Sequence, residues 1–205
     1  MSSTTRFALA GSVLSRALLV LLFAAFAWAN LSHWRETGEP SGLGLTILEG
    51  WVALMFVIRR PARDVSLSRL AWVAAPIGTF AMLLARPAEG GLPPLLCEAV
   101  QLGGVAFALV SLTALGRSFG LVAANRGVKT GGPYGLVRHP AYAGYLISYL
   151  GYVAENPSLA NIGLLFLGTA FQLVRIRKEE QLLTRDSAYG AYRRRVRYRL
   201  IPLVY

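Results

Sequence analysis

The residues best suited to chemistry begin at Arg138-His139-Pro140, directly after a glycine-rich stretch. Proline suits the first turn of a helix, because the N–H that it lacks has no helical partner at that position. The segment therefore predicts a helix that begins at Pro140 and places Arg138 and His139 at its N-terminus. Free backbone N–H groups, the positive end of the helix dipole and the arginine indicate an anion-binding site. The alternative is an arginine that contacts lipid phosphate beside a histidine packed at the membrane interface.

Four tyrosines follow along the predicted helix at spacings of three, four and three residues: Tyr142, Tyr145, Tyr149 and Tyr152. These spacings place the four rings on one helix face. A tyrosine stripe that runs the length of a helix is either a packing surface between helices or the wall of a ligand pocket. Aromatic faces attract cations, so a pocket with this wall suits a sulfonium ligand.

A second charged segment ends an apolar run and contains Arg175, Glu179 and Glu180. Arg175 and Glu179 are four residues apart and therefore lie on the same helix face. One interpretation is a solvated helix end, with an ion pair worth about 0.3–0.5 kcal/mol. The other follows from two adjacent acids in a strongly basic segment, which favour a cationic ligand such as an α-amino group.

The elements that position these residues are apolar helices. Of the 205 residues 55% are apolar and 15% are charged, well below the share of about 25% typical of soluble domains. Six apolar stretches approach the roughly 20 residues that span a bilayer; they cover residues 13–31, 43–58, 70–85, 94–115, 141–154 and 159–174. No small-residue cleavage pattern follows the first stretch, so we interpret it as a retained span rather than a signal peptide.

These patterns predict an all-α, polytopic helical membrane protein with five or six transmembrane helices. The fifth and sixth stretches predict a short C-terminal helical hairpin, and the span count is five if the hairpin lies partly outside the hydrocarbon. We expect one integrated domain with a transmembrane region at 1–115. The remaining residues, 116–205, are expected to form a catalytic region that comprises a loop for a cofactor, the hairpin and a basic tail.

The net charge of +11 is distributed unevenly. Segments 1–16, 59–69, 116–140 and 175–205 contain 19 of the 21 lysines and arginines, which predicts that both termini and the cofactor pocket face the cytoplasm. The arginine-rich tail at 189–199 predicts contact with anionic lipid headgroups rather than nucleic acid, because it carries no nucleic-acid recognition motif. Cys97 is the single cysteine, so an intramolecular disulfide and a multi-cysteine metal site are excluded.

The C-terminal half resembles a known family in the order and spacing of several blocks: Gly132-Pro133-Tyr134, Val137-Arg138-His139-Pro140-Ala141-Tyr142-Ala143-Gly144, Glu179-Glu180, Tyr189 with Tyr192, and Arg199-Leu200-Ile201-Pro202. The family is the isoprenylcysteine carboxyl methyltransferases and their bacterial relatives, integral-membrane enzymes that use S-adenosylmethionine. The resemblance implies a bacterial inner-membrane protein with a lipophilic or lipid-linked substrate that enters from the bilayer.

The resemblance also implies roles for individual residues. It assigns cofactor binding to Val128, Gly132, Tyr134, Val137, Arg138, His139, Pro140, Tyr142, Gly144 and Glu180. Arg138 is expected to brace the cofactor carboxylate, and Arg175 to orient the substrate carboxylate, with Arg177 close by as an alternative. Glu179 is the second expected catalytic residue, and with an amine or thiol substrate it or a tyrosine would accept the proton. No metal site is expected.

Three alternatives to a carboxyl methyltransferase stay open from the sequence. One is a methyltransferase for a phospholipid amine or another small lipophile. The second is a reductase similar to the sterol reductases, in which the arginines at 193–199 would bind the 2′-phosphate of NADPH. The third is a non-enzymatic membrane scaffold or transporter component, whose functional residues would be the intramembrane acids Glu49 and Glu98.

Overall fold

The computed structural model describes residues 3–204, with side chains described from residue 13 onwards. The helices are α1 (Ser3–Thr37), α2 (Pro40–Ile58), α3 (Arg69–Phe80), α4 (Pro94–Leu115), α5 (Pro140–Glu155), α6 (Leu159–Leu183) and α7 (Ser187–Arg195). Two short strands, β1 (Asp64–Val65) and β2 (Ala124–Asn125), pair antiparallel. The chain is therefore an all-α polytopic membrane protein, as its apolar pattern predicts.

Four of the six predicted spans are long and apolar enough to cross a bilayer: Val13–Thr37, Pro40–Ile58, Pro94–Ser118 and Leu159–Leu183. The predicted third span is shorter, because α3 ends at Phe80 and only a 3₁₀ turn, Ala81–Leu84, continues it. The fifth, α5, has 16 residues, or about 24 Å at 1.5 Å per residue. The sixth extends nine residues beyond the predicted end at 174 and carries Arg175, Glu179 and Glu180 inside the helix.

The helices fall into two compact units, one that ends at Arg59 and one that begins at Arg60. In the first unit α1 and α2 form an antiparallel pair. The loop between them is short, and Gly42 lies so close to α1 that a Cβ there would be 3.1 Å from the Trp34 Cβ. The rings of Phe23 and Phe56 pack 5.4 Å apart along the same pair. The predicted inner segment 1–16 lies largely outside the residues whose side chains are described.

In the second unit α4 and α5 pack with their backbones in close contact. The contact consists of small residues, which let helices approach closely. A Cβ at Gly144 would lie 2.6 Å from the Ala108 backbone N, and one at Gly151 would lie 2.8 Å from the Cys97 carbonyl oxygen. Gly104 meets the α5 backbone at Ser148 in the same way. The neighbouring Gly103, in contrast, has open space beside it.

Helix α3 packs against α6, and a glycine again marks the contact. A Cβ at Gly78 would lie 3.1 Å from the Gln172 backbone N. The α5–α6 turn is held by Asn161, whose amide donates to the Arg86 and Asn156 carbonyl oxygens at 2.8 Å each. The side chain of Ser158 accepts from the backbone N–H of Asn161 and caps α6.

The loop that precedes α5 is fixed at several points. The β1–β2 pairing binds it to the segment before α3, and the backbone N–H of Arg60 donates to the Arg117 carbonyl oxygen at 2.8 Å. Asp186 joins this region to α7, because its carboxylate caps α7 at Ala188 N and accepts from the Asn125 amide at 3.2 Å. These contacts fix the approach to α5 and the start of α7.

Candidate functional site

The predicted helix start is confirmed: α5 begins at Pro140, and His139 is its N-cap residue. His139 has non-helical backbone angles, and Arg138 lies just before it. Both side chains are 6% exposed. An arginine that contacts lipid phosphate would be exposed, so the burial argues against the lipid-contact interpretation of Arg138.

The buried arginine and histidine both contact Glu180 on α6. The Arg138 Nε donates to Glu180 Oε1 at 2.7 Å, and the His139 Nε2 lies 3.3 Å from the same oxygen. Arg199 binds the other oxygen, with its Nε and Nη2 at 3.0 and 2.9 Å from Glu180 Oε2. We call Arg138, His139, Glu180 and Arg199 the ionic cluster. Two arginines and one carboxylate give the ionic cluster a net positive charge, which suits an anionic ligand group.

The segment 196–199 after α7 completes the ionic cluster with backbone groups. The backbone N–H groups of Arg138 and His139 donate to the carbonyl oxygens of Tyr198 and Arg199 at 2.9 and 2.8 Å. The Arg138 guanidinium also donates to the carbonyl oxygens of Val196 and Arg197. The N–H groups at this helix start are thus partly occupied by the protein's own chain.

Beside the ionic cluster, three further side chains form a second group of contacts. Tyr142 stacks on the His139 ring, with centroids 5.7 Å apart and planes at 6°. Its hydroxyl donates to Glu179 Oε2 at 3.1 Å, and the Arg175 guanidinium carbon lies 4.9 Å from the ring centroid. We call Tyr142, Arg175 and Glu179 the reactive group. The face of the Tyr142 ring thus already contacts a cation, the Arg175 guanidinium.

Arg175 makes different bonds from those of a solvated helix end. Instead of pairing with Glu179, its Nη1 donates to the Thr79 hydroxyl and the Gln172 amide oxygen at 2.9 Å each. Its Nη2 donates to the Leu121 carbonyl oxygen at 2.9 Å. The structure thus argues against the solvated-end interpretation with its ion pair, because a buried guanidinium requires several acceptors in fixed directions, which α3, α6 and the 116–139 loop supply. Arg177, the alternative substrate contact, is exposed.

A cluster of buried tyrosines adjoins the ionic cluster. Tyr134, Tyr189, Tyr192 and Val196 pack together, with Val128 against them. The Tyr192 hydroxyl donates to the Tyr134 carbonyl oxygen at 2.7 Å. Burial raises the pKa of Tyr192 to about 12, and burial together with the negative charges of Glu180 and Glu179 raises that of Tyr189 further. All three tyrosines are therefore neutral at physiological pH.

The Tyr189 hydroxyl is buried beside the Glu180 carboxylate without a well-formed hydrogen bond among the described residues. The residue is 2% exposed. A buried hydroxyl left unpaired costs about 1–3 kcal/mol. A buried donor of this kind, beside carboxylates and arginines, fits a polar ligand group that completes the bonding.

The remaining predicted cofactor residues lie near these groups in different ways. Val137 and Pro140 are buried beside Arg138. Gly132 has a positive φ of 60°, which explains a glycine there. Gly144 instead faces α4 at the close contact described above, so the structure gives it a packing role. The assignment of all these residues to a cofactor stays a prediction.

Several residues of the site were not assigned from the sequence. Thr79 and Gln172 hold Arg175 and carry no local signal, since they lie in ordinary apolar helices. Arg199 and Tyr189 belong to blocks of the family resemblance, and that membership was the available signal. Their contacts with Glu180 and the tyrosine cluster involve residues distant in the chain, which periodicity does not reveal.

The comparisons with known proteins support the same region. Residues 97–191 match the family model for phospholipid methyltransferases. The match covers just under half of the chain and includes α5, α6 and most of α7. It suggests a membrane methyltransferase, the broader group that also contains the isoprenylcysteine carboxyl methyltransferases. No curated protein matches the chain.

Proposed function

We propose that this protein is an S-adenosylmethionine-dependent methyltransferase that methylates the carboxylate of a lipophilic substrate such as an isoprenylcysteine. The observation that carries the proposal is the match of residues 97–191 to a membrane methyltransferase family. Every residue with an expected role, from Val128 to Glu180, lies inside the matched segment. The structure brings most of them to one end of α5 and α6.

The residues present fit this cofactor. The ionic cluster offers positive charge for a carboxylate, and the ring of Tyr142 and the carboxylate of Glu179 suit a sulfonium and an α-amino group. The buried Tyr189 hydroxyl, beside Glu180, is a donor for a ribose or adenine acceptor. When bound, S-adenosylmethionine supplies an electrophilic methyl carbon, whose bond to sulfur breaks as the bond to the substrate oxygen forms.

Arg175 is suited to hold the substrate carboxylate. A guanidinium has five N–H groups, and the three bonds to Thr79, Gln172 and Leu121 leave two of them available. A carboxylate is already ionised at neutral pH, so the chain needs neither a general base nor a metal. Its task is to align the oxygen with the methyl carbon and to exclude water.

A second candidate is methylation of a phospholipid amine, since the description of the matched family names phospholipids as acceptors. An amine must lose a proton when it gains a methyl group. Glu179 is the acceptor within the reactive group, since its carboxylate already receives a hydrogen bond from Tyr142. The two candidates therefore differ in whether Glu179 takes up a proton.

Methyl transfer by the reconstituted protein distinguishes them, with labelled cofactor and either a prenylcysteine or phosphatidylethanolamine as acceptor. If the carboxylate is the acceptor, Arg175→Lys lowers the rate at least tenfold and Glu179→Gln does so less. If the amine is the acceptor, Glu179→Gln lowers the rate more than Arg175→Lys does. The rate of the unsubstituted protein then rises with pH as Glu179 ionises, and Glu179→Gln removes this pH dependence. Binding of NADPH without binding of S-adenosylhomocysteine would overturn both candidates and favour the reductase.

A further inference from the structure

The segment from α7 onward has a one-sided charge that the proposed reaction leaves unexplained. Residues 187–204 contain five arginines and no acidic residue. Arg199 belongs to the ionic cluster, but Arg193, Arg194, Arg195 and Arg197 are all exposed. Among the described residues, none of these four forms an ion pair with a carboxylate.

The exposure follows from the way α7 packs. Tyr189, Tyr192 and Val196 recur at three and four residues and are buried in the tyrosine cluster. This apolar face fixes the rotation of α7, and the intervening arginines necessarily point away from the protein. Four cations thus lie together, and no carboxylate of the described residues pairs with them.

Exposed aliphatic residues follow the arginines. Ile201 is 47% exposed, Leu203 83% and Val204 76%. These side chains lie in a turn, where the Val204 N–H donates to the Ile201 carbonyl oxygen. Clustered cations beside exposed aliphatic side chains match a surface that offers negative headgroups above hydrocarbon.

We propose that residues 193–204 form a docking surface for an anionic lipid bilayer, with the four exposed arginines at the headgroups and Ile201, Leu203 and Val204 in the outer hydrocarbon. The charge complementarity selects this partner, and the apolar turn favours a bilayer over a polyanion in solution. Residues 196–199 of this surface also contact Arg138 and His139 of the ionic cluster. Docking would therefore hold that segment at the lipid surface.

The test places a fluorophore in the apolar turn. Val204→Cys is labelled in an otherwise unsubstituted chain, and because Cys97 is 2% exposed in α4, unsubstituted protein serves as the labelling blank. The protein is reconstituted in nanodiscs of phosphatidylcholine, alone or with phosphatidylglycerol, that carry a shallow spin-labelled lipid. The proposal expects stronger quenching in the anionic discs, which high salt reduces to the neutral level.

Matched variants identify the charges responsible. Arg193→Gln, Arg194→Gln and Arg195→Gln combined should weaken docking roughly a hundredfold, at about a factor of five per arginine, and abolish the extra quenching. The control removes three other exposed cations, through Arg63→Gln, Arg69→Gln and Lys129→Gln, and should preserve it. Equal quenching in the two bilayers, or equal loss in both triple variants, would overturn the proposal. The salt titration gives the same decision if the arginine variant fails to fold.

Discussion

The α4-facing side of α5 and the N-terminal end of α5 differ in the residues that form their contacts. The face toward α4 consists of small residues, and Gly144 and Gly151 let the two backbones touch. The other end of the helix carries His139 and Tyr142, which contact charged side chains of α6. The close backbone contact with α4 restricts movement of α5. The N-terminal end of α5 holds the side chains that a ligand would contact. A rigid support on one side is what allows a charged site on the other to be positioned closely.

The largest expected effect separates the two adjacent acids of α6. Glu180→Gln leaves the buried Arg138 without its carboxylate, and removal of one partner of a buried ion pair costs about 3–5 kcal/mol. Glu179→Gln, the matched control, loses about 1 kcal/mol, because Glu179 is half-buried and its amide still accepts from Tyr142. Chemical unfolding in mild detergent measures both. Equal stability of the two variants would contradict the structural role of the ionic cluster.

The second prediction concerns the packed face and compares two neighbouring glycines. Gly104→Ala places a methyl group against the α5 backbone and should destabilise the protein by about 1–3 kcal/mol. Gly103→Ala meets open space, and should stabilise α4 by about 0.5–1 kcal/mol because alanine is the better helix former. Unfolding midpoints that shift in opposite directions would confirm the contact. Parallel shifts would show that α4 and α5 are not in backbone contact.

The two sides of α5 also differ in how far the sequence predicts them. The helix start at Pro140 was predictable, because a proline after a polar segment acts locally through its own ring and missing N–H. The apolar lengths likewise predicted the long helices, since a bilayer sets one dimension for all of them. The close α4–α5 contact could not be predicted from glycine positions alone, because Gly104 makes the contact and its neighbour Gly103 does not.

The ion pair of the solvated-end interpretation, between Arg175 and Glu179, does not form because of contacts between residues distant in the chain. Spacing along a helix fixes which side chains can meet, whereas a buried guanidinium takes the acceptors that the tertiary structure offers. Thr79 is 96 residues away in the chain, and no helical period connects it to Arg175. The assembly of Arg138 with Glu180 was implied only by family resemblance, because the two lie 42 residues apart.

A third and smaller effect tests the charged side of α5. Tyr142→Phe keeps the ring on His139 and beneath Arg175 but removes the hydrogen bond to Glu179. Stability should fall by about 1 kcal/mol, while the methyl-transfer rate falls by a larger factor, because Glu179 loses the group that orients it. A rate that falls only in proportion to the folded fraction would assign Tyr142 to packing.

The smallest effect lies at the start of α7. Hydrogen bonds from Asn125 and from the Ala188 backbone N–H lower the pKa of Asp186. A lowered pKa in the folded state favours the ionised carboxylate, so its stabilisation is present above about pH 3.9 and is lost as pH falls through the folded value. The difference in unfolding midpoint between the unsubstituted protein and Asp186→Asn should shrink over that range. A difference independent of pH would contradict the pKa shift.

The closure of the ionic cluster by segment 196–199 bears on the order in which the protein is made. Arg138 Nη1 donates to the carbonyl oxygen of Val196, 58 residues further along the chain. At about 5–20 residues per second, the ribosome reaches Val196 roughly 3–12 s after Arg138. During that interval α5, α6 and α7 are being synthesised, and the arginine lacks these carbonyl partners. The ionic cluster is thus completed only after the ribosome has synthesised segment 196–199.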